Sequence, residues 1–498
     1  MPTPQKLIIY WCRRDFRLTD NPAFFSAVRE AQTSNALFVP LYILDDGILG
    51  SNPTHPNIGY PRRLFLSQVL AHFASEIQHF QILLGNPSSI FEKLSTQFDL
   101  HIFANEDIEP YSRQRDLQVS TVIKKQGGTL RLFVDQLTIP RETISGSGSL
   151  YSVFTPFKKA VWNSFLNSTV APTVNLNEVA ALPTTTLHFP YIEGNSETDL
   201  QATIFAKIDT PWVFTVDGQT YNVEDILAFQ RPNYQQWKYK ESEVLQQFSE
   251  FVQSNLQYYS LGRDELANEQ GTSGMSVALK WGLVSARTLK HIVVEKYGKP
   301  DSDEFNSLPS YVQNSINSYL SELIWREFYR YILYHNPQVL TQNFQKKYQG
   351  DGEPTWLSGF TAHQRFVSWM QGKTGYDLVD AGMIQLAKTG WMHNRTRMVV
   401  GSILTKNLGL DWRWGQEYFR ATLLDLDEAS NNGGWQWAAS VGADPKPVRI
   451  FNPYLQERYD NNRTYIKKWL GDEPRIIQPI VEHETAREEA KKRYNLLP

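Results

Sequence analysis

A chain of 498 residues, 41% hydrophobic and 20% charged, can bury large cores, and its length points to more than one domain. Its 49 basic and 52 acidic residues nearly cancel, which excludes a global basic field, so any nucleic-acid contact must rest on a local patch. A single cysteine, Cys12, excludes a disulfide framework and a cysteine zinc site, and the ten histidines show no metal-ligand spacing, so no metal centre is expected.

The chain opens on the apolar run 7–12, too short for a secretory h-region and leading straight into Arg13-Arg14-Asp15. No apolar stretch reaches bilayer-spanning length, so a cytoplasmic protein is expected. Strands are predicted at 7–12, 36–44, 81–84, 100–105 and 129–135, with helices at 21–32, 62–80, 88–98 and 111–126 between them. Five short apolar runs alternating with amphipathic ones read as a parallel sheet covered by helices. No Gly-x-Gly-x-x-Gly follows the first strand, so a dinucleotide fingerprint is missing.

The pattern then loosens. Ser145-Gly-Ser-Gly-Ser149 is turn chemistry, and 171–190 shows neither a helical nor a strand period. We read 1–140 as an α/β domain, 141–215 as an interdomain connector and 216–498 as an all-helical domain. Long helices are expected at 311–335 and 390–419, the second interrupted near 408–411, and the charged tail should end in one helix.

Three constellations in the helical part carry chemistry. In Ser321-Glu-Leu-Ile-Trp-Arg-Glu-Phe-Tyr-Arg330, Glu322, Trp325, Arg326 and Tyr329 share one helix face, which is not a normal core stripe. The ordinary alternative is a solvated Glu322–Arg326 pair. In Trp391-Met-His-Asn-Arg-Thr-Arg-Met398, Asn394, Arg397 and Met398 follow the same spacing. Asn394 can donate and accept, as reading a base edge requires, Met398 offers a soft apolar surface, and Arg395 points elsewhere, toward a phosphate. In Asp425-Leu-Asp-Glu-Ala-Ser-Asn-Asn-Gly-Gly-Trp-Gln-Trp437, carboxylates and amides precede Gly433-Gly434 and two tryptophans. A polar Asx turn is the ordinary alternative, but it leaves the tryptophans unexplained. Gly271-Thr-Ser-Gly-Met-Ser276 is a small-residue loop before a helix, suited to a phosphate or to plain capping. Gly372-Lys373-Thr374 resembles the end of a P-loop, but Val367 stands where its first glycine belongs.

With those motifs in hand, the chain resembles the photolyase/cryptochrome family, and in particular microbial class I cyclobutane pyrimidine dimer photolyases. The resemblance runs nearly end to end. It rests also on Trp11-Cys-Arg-Arg-Asp-Phe-Arg-Leu-Thr-Asp-Asn21, Tyr151-Ser-Val-Phe-Thr-Pro-Phe157, Gly372-Lys-Thr-Gly-Tyr376 and Arg449-Ile-Phe-Asn-Pro453. It implies an N-terminal α/β antenna domain and a helical domain holding a folded FAD. By resemblance, Tyr259 and Thr272, Ser273, Gly274, Met275 and Ser276 hold the FAD phosphates and ribityl chain. Asp425, Leu426 and Asp427 bracket the rings, Arg397 pairs Asp425, and Asn431 faces the flavin.

The same resemblance implies a lesion pocket of Glu322, Trp325, Asn394, Met398 and Trp437. A dimer flipped out of the duplex would stack there, at lower cost than a normal base. Arg263, Arg326, Tyr329, Arg395 and Gln456 would meet UV-damaged DNA. The implied reaction is light-driven: excited, reduced FAD donates an electron, the cyclobutane ring splits, and the electron returns. Glu322 would stabilise the charged dimer by a hydrogen bond, and Trp435, Trp412 and Trp356 would carry electrons from the surface. Trp356 sits three residues further from Trp369 than the family spacing, and Leu426 and Glu428 depart from the usual residues there. A second, antenna chromophore is expected to be of the deazaflavin type rather than folate, because Tyr111-Ser112 replaces the Asn-Glu pair of folate binders. Arg14, Asp107 and Glu109 are the expected antenna residues. The implied enzyme is a monomeric deoxyribodipyrimidine photo-lyase. The alternative is a cryptochrome-like blue-light photoreceptor, which Asn431 disfavours.

Overall fold

The computed structural model describes residues 4–45, 59–190, 196–207, 212–227, 236–443, 448–473, 475 and 477–496. Five strands, β1 (Lys6–Cys12), β2 (Leu37–Leu44), β3 (Gln81–Leu84), β4 (Asp99–Asn105) and β5 (Thr129–Phe133), form a parallel sheet of order β3-β2-β1-β4-β5. β1 is central, pairing Leu7 with Leu37 on one side and with Leu100 on the other. Its side chains alternate: Ile8, Tyr10 and Cys12 enter the larger core, while Leu7, Ile9 and Trp11 enter a separate core on the opposite face. That double burial is why the run reads as continuously apolar.

The crossover helices Pro22–Ser34, Tyr60–Glu76, Pro87–Ser95 and Pro110–Lys124 each carry proline in the first turn, where a missing N–H costs nothing. Asn21 and Asn86 cap the first and third by accepting from Phe24 N and Ser89 N.

The expected connector is more structured than its sequence reads. It holds the helices Phe154–Asn167, Leu176–Ala180 and Glu197–Lys207. Phe154, Phe157, Val161 and Phe165 form a buried stripe on the first of these. The expectation of no regular period over 171–190 fails at Leu176–Ala180, which Asn175 caps. Positions 191–195 and 208–211 of the connector lie outside the described residues. A hairpin, β6 (Val213–Val216) with β7 (Gln219–Asn222), turns on Asp217 and Gly218, both at positive φ.

Beyond it the described chain is helical. Ser310–His335, 26 residues long, runs through the middle of this part. Asn394–Ser402 continues into a π-turn at Ile403–Asn407, and Asp411 then caps Trp412–Thr422, so the predicted interruption is a real break. Asp427 caps Glu428–Ala438, and the tail ends in His483–Arg493. No helix among the described residues is long and apolar enough to cross a membrane.

The sheet and the helices meet across a seam of buried charge. Arg17 donates to Asp135 at 2.5 Å, and Arg287 donates to Asp135 and to Asp20 at 2.8 Å each. Glu241 accepts from Leu18 N and Thr19 N. Gly282, at φ +67, lets the backbones close: a Cβ there would lie 2.0 Å from the Arg14 carbonyl oxygen.

Candidate functional site

A cavity of about 600 Å³ opens between the helix Ser310–His335 and the helices Asn394–Ser402 and Glu428–Ala438. Glu322, Trp325, Arg326 and Tyr329 line it from one face of the long helix, while Leu323, Ile324 and Phe328 are buried behind them. Asn394, Arg397 and Met398 line it from the second helix. Asp425, Leu426, Asp427, Asn431, Trp435 and Trp437 line it from the third segment, and Tyr259 with the loop Thr272, Ser273, Gly274, Met275 and Ser276 closes the remaining side. Residues from Glu322 to Trp437 thus converge because three helical segments each turn polar groups inward.

The third segment is not a polar turn. Gly433 and Gly434 sit inside a helix, and each has a reason. A Cβ on Gly433 would lie 2.0 Å from the Tyr329 ring, so its absence seats that ring. A Cβ on Gly434 would meet nothing within 4 Å, because that face is the cavity.

The electrostatics are those of an anion-ready site with unmet acceptors. Arg397 donates to Asp425 Oδ2 at 2.8 Å and to the Met392 carbonyl oxygen. The other carboxylate oxygen, Asp425 Oδ1, is buried without a partner among the described residues, as is Asn431 Oδ1. Buried acceptors of this kind are rare unless a ligand supplies the donor. Asp427 is saturated instead: Arg330 donates to it at 2.6 Å and Ser430 N at 2.9 Å. Burial alone would raise its pKa, but Arg330 and Arg326 outweigh burial and hold it well below the usual carboxylate range. Burial and the neighbouring Arg330 push the Arg326 guanidinium down to about 10, and burial with Arg14 pushes Lys280 down to about 8. Both cations line the cavity and would gain from a phosphate.

The loop before Ser276 is held in shape from behind. Gln247 donates to the Ser273 carbonyl oxygen at 3.2 Å and Tyr319 to Ser273 Oγ at 3.3 Å. The helix it precedes, Ser276–Trp281, has six residues, so hydroxyls and Lys280 rather than a summed dipole would hold an anion there. These residues fit a dinucleotide-sized cofactor such as FAD. Loop hydroxyls and cations suit its phosphates, Asp425 Oδ1 and Asn431 Oδ1 suit ring N–H groups, and the bare face of Gly434 leaves room for a flat ring.

At the mouth, Trp325 stacks on Phe154 at 3.6 Å and Trp391 donates to Ser276 Oγ at 3.1 Å. Glu322 does not pair with Arg326. It accepts from Arg263 Nη1 at 2.5 Å, while Arg326 turns to Glu327 at 3.2 Å. Arg395 lies off the cavity, paired with Asp264 at 2.8 Å and stacked on Tyr459 at 3.6 Å, with Gln456 Oε1 at 3.5 Å.

Of the three expected electron-carrying tryptophans, Trp435 lines the cavity and its ring rests on Gly415 of the helix that begins at Trp412. Trp412 is fully buried and donates to Asn343 Oδ1 at 2.8 Å; Trp356 is half-buried against Tyr494. Trp369, given no role from sequence, packs edge-on against Trp435 at 6.0 Å. Arg14, Asp107 and Glu109 are consumed by one another: Arg14 donates to Asp107 and to Glu109 at 2.6 Å each. Glu428, a departure from the family pattern, pairs with Arg420 at 2.9 Å. Lys280 and Arg330 were missed from sequence. Arg330 falls one helical turn beyond Arg326, and that spacing was the available signal.

Residues 319–496 match the family model for the FAD binding domain of DNA photolyase, and 8–176 match the model for DNA photolyase. A deoxyribodipyrimidine photo-lyase of Synechococcus is 33% identical over 98% of this chain and 96% of its own length. A class III photolyase from Agrobacterium tumefaciens superposes with a TM-score of 0.78 at 27% identity, covering 100% of this chain and 98% of that one. A Synechocystis cryptochrome shares the fold, with a TM-score of 0.78 at 22% identity over 99% of this chain and 100% of that one.

Proposed function

This chain belongs to the photolyase/cryptochrome family, and on that premise we propose that it repairs cyclobutane pyrimidine dimers in UV-damaged DNA, as a monomer, with FAD as its cofactor. One observation carries the reading: the residues suited to FAD and those suited to a flipped-out base pair open onto the same cavity. When bound and reduced, FAD supplies an electron on photoexcitation. The chain does the rest by position. Asp425 and Asn431 orient the cofactor through their unmet acceptors, and the loop from Thr272 to Ser276 with Lys280 holds its phosphates. Trp325 and Trp437 flank an extruded dimer, and Met398 and Asn394 meet its faces and edges. Glu322, in its carboxylic acid form, donates a hydrogen bond to the thymine carbonyl region where negative charge develops, once substrate displaces Arg263 toward the phosphates. For a second chromophore the deazaflavin type remains our reading, with Tyr111 tied to Asp45 where a folate binder carries Asn.

The test is an illuminated assay of flavin-loaded, reduced protein with a dimer-containing oligonucleotide and a dark control. Wild type should restore thymines only in the light. Glu322→Ala should lose at least tenfold in repair rate at unchanged flavin content. Flavin uptake without light-dependent repair would overturn the proposal in favour of a photoreceptor.

A further inference from the structure

The helix that carries Glu322 begins far outside the cavity, at Ser310. Tyr311 and Glu322 are 11 positions apart, about three turns, so they lie within about 20° of each other around the helix axis. Asn314, Ser318 and Trp325 fall on the same stripe. No acidic residue occurs from Ser310 to Ser321, and Lys158 donates to Ser321 Oγ at 2.6 Å, so the stripe is neutral to positive as it approaches the mouth.

At its outer end stands an aromatic pair with no core to fill. Tyr258 and Tyr311 stack at 6.0 Å and 12°, yet they are 50% and 44% exposed, and neighbouring Leu261 is 67% exposed. The pair is not adrift. Ser260 is hydrogen-bonded to Ser315 through both its backbone N–H and its hydroxyl, which pins the short segment bearing Tyr258 to the long helix. The same segment supplies Tyr259 and Arg263 to the cavity. The aromatic pair is therefore a rigid outward extension of the site.

We propose that Tyr258 and Tyr311 form a stacking platform for a nucleotide of the lesion-bearing strand, several steps away from the flipped dimer. This rests on the DNA-repair reading. Tyr311 lies about 16 Å along the helix from Glu322. At the duplex rise of about 3.4 Å per nucleotide of one strand that distance is about five steps, and it is fewer for a strand stretched beyond that rise. A flat aromatic step reached along a track whose first carboxylate is Glu322 at the mouth is what a single strand uses, because every base presents a ring face. A protein partner would instead call for a broader apolar patch than two rings and one leucine.

The test is a length series. Full-chain, flavin-loaded protein is titrated in the dark with single-stranded oligonucleotides whose dimer has one flank extended from one to eight nucleotides, first on the 5′ and then on the 3′ side. Wild type should tighten roughly tenfold when one flank, and not the other, reaches a length of at most about five nucleotides. The step should vanish in Tyr258→Ala/Tyr311→Ala, with binding of the shortest oligonucleotide unchanged, and persist in Tyr258→Phe/Tyr311→Phe. A wild type without the step, or an alanine pair that keeps it, overturns the platform whatever the variants do to folding. If wild type binds dimer-containing and dimer-free strands equally at every length, the repair reading fails and this proposal falls with it.

Discussion

Two regions of this molecule bury several charges each, and they do opposite things with them. At the seam between sheet and helices, Arg17 and Arg287 converge on Asp135, and Arg287 also takes Asp20. Burial would lift the Asp135 carboxyl, but the two guanidinium groups outweigh it and hold its pKa below the ordinary value. In the cavity, among the described residues, Asp425 shares Arg397 through one oxygen and leaves the other unmet, Asn431 leaves its side-chain carbonyl unmet, and Arg326 pairs with its neighbour Glu327. A satisfied buried network fastens two parts of a fold. A half-satisfied one costs free energy in the empty protein and returns it when a ligand completes the set. The first region accounts for Arg17 and Asp20 within the charged motif from Arg13 to Asn21; the second is where the proposed chemistry is placed.

The comparison breaks most sharply if the two regions are cut in turn. Asp135→Ala leaves the buried Arg17 guanidinium without a carboxylate and Arg287 with Asp20 alone, and the loss should be about 3–5 kcal/mol in denaturant unfolding of the flavin-free chain. Asp425→Ala removes a carboxylate that was already half unmet, beside a guanidinium that faces the cavity. Its unfolding free energy without flavin should fall by less than that of Asp135→Ala, because only one guanidinium is left, a quarter exposed and still bonded to the Met392 carbonyl oxygen, while flavin affinity falls at least tenfold. Equal destabilisation by both substitutions would mean that the cavity charges hold the fold too.

A finer cut uses the adjacent glycines. Gly433→Ala drives a Cβ into the Tyr329 ring and should cost about 1–3 kcal/mol. Gly434→Ala meets no atom and should stabilise the flavin-free chain by roughly 0.5–1 kcal/mol, through helix propensity, at the expense of flavin affinity. That contrast also marks the limit of sequence reading. Gly-Gly after a run of Asp and Asn reads locally as a turn; only the ring of Tyr329, 104 positions earlier, makes it a helix interior. Likewise Glu322 reads as the partner of Arg326 one turn away, yet Arg263, 59 residues back, takes it. What sequence did carry were periodic features: the five sheet strands, the break before Asp411, and the inward faces of the helices bearing Glu322 and Asn394. The connector lost its helix Phe154–Asn167 although Phe154, Phe157, Val161 and Phe165 had the spacing, because the turn-rich residues on either side dominated the reading.

The smallest expected effect comes from pH, and it separates the cavity's two states. Burial first, and Arg14 second, push Lys280 down to about 8, with Glu109 and Asp427 opposing and Arg62 adding to the shift. In the flavin-free fold this lysine gives up its proton near pH 8, while the unfolded chain keeps it to the ordinary lysine value of about 10.4. Between those limits the unfolded state binds more protons, so the stability of the flavin-free chain rises with pH as far as this group is concerned. Flavin binding should run the other way. An anionic diphosphate favours the charged lysine, so above pH 8 binding must take up a proton, and the Kd should climb by up to about tenfold per pH unit. Titrating flavin-free protein with FAD from pH 7 to 9.5 reads the slope directly. Lys280→Gln should bind more weakly at pH 7 and lose the slope. A slope that survives the substitution assigns the proton to another group, and a flat wild-type profile removes Lys280 from the phosphate site.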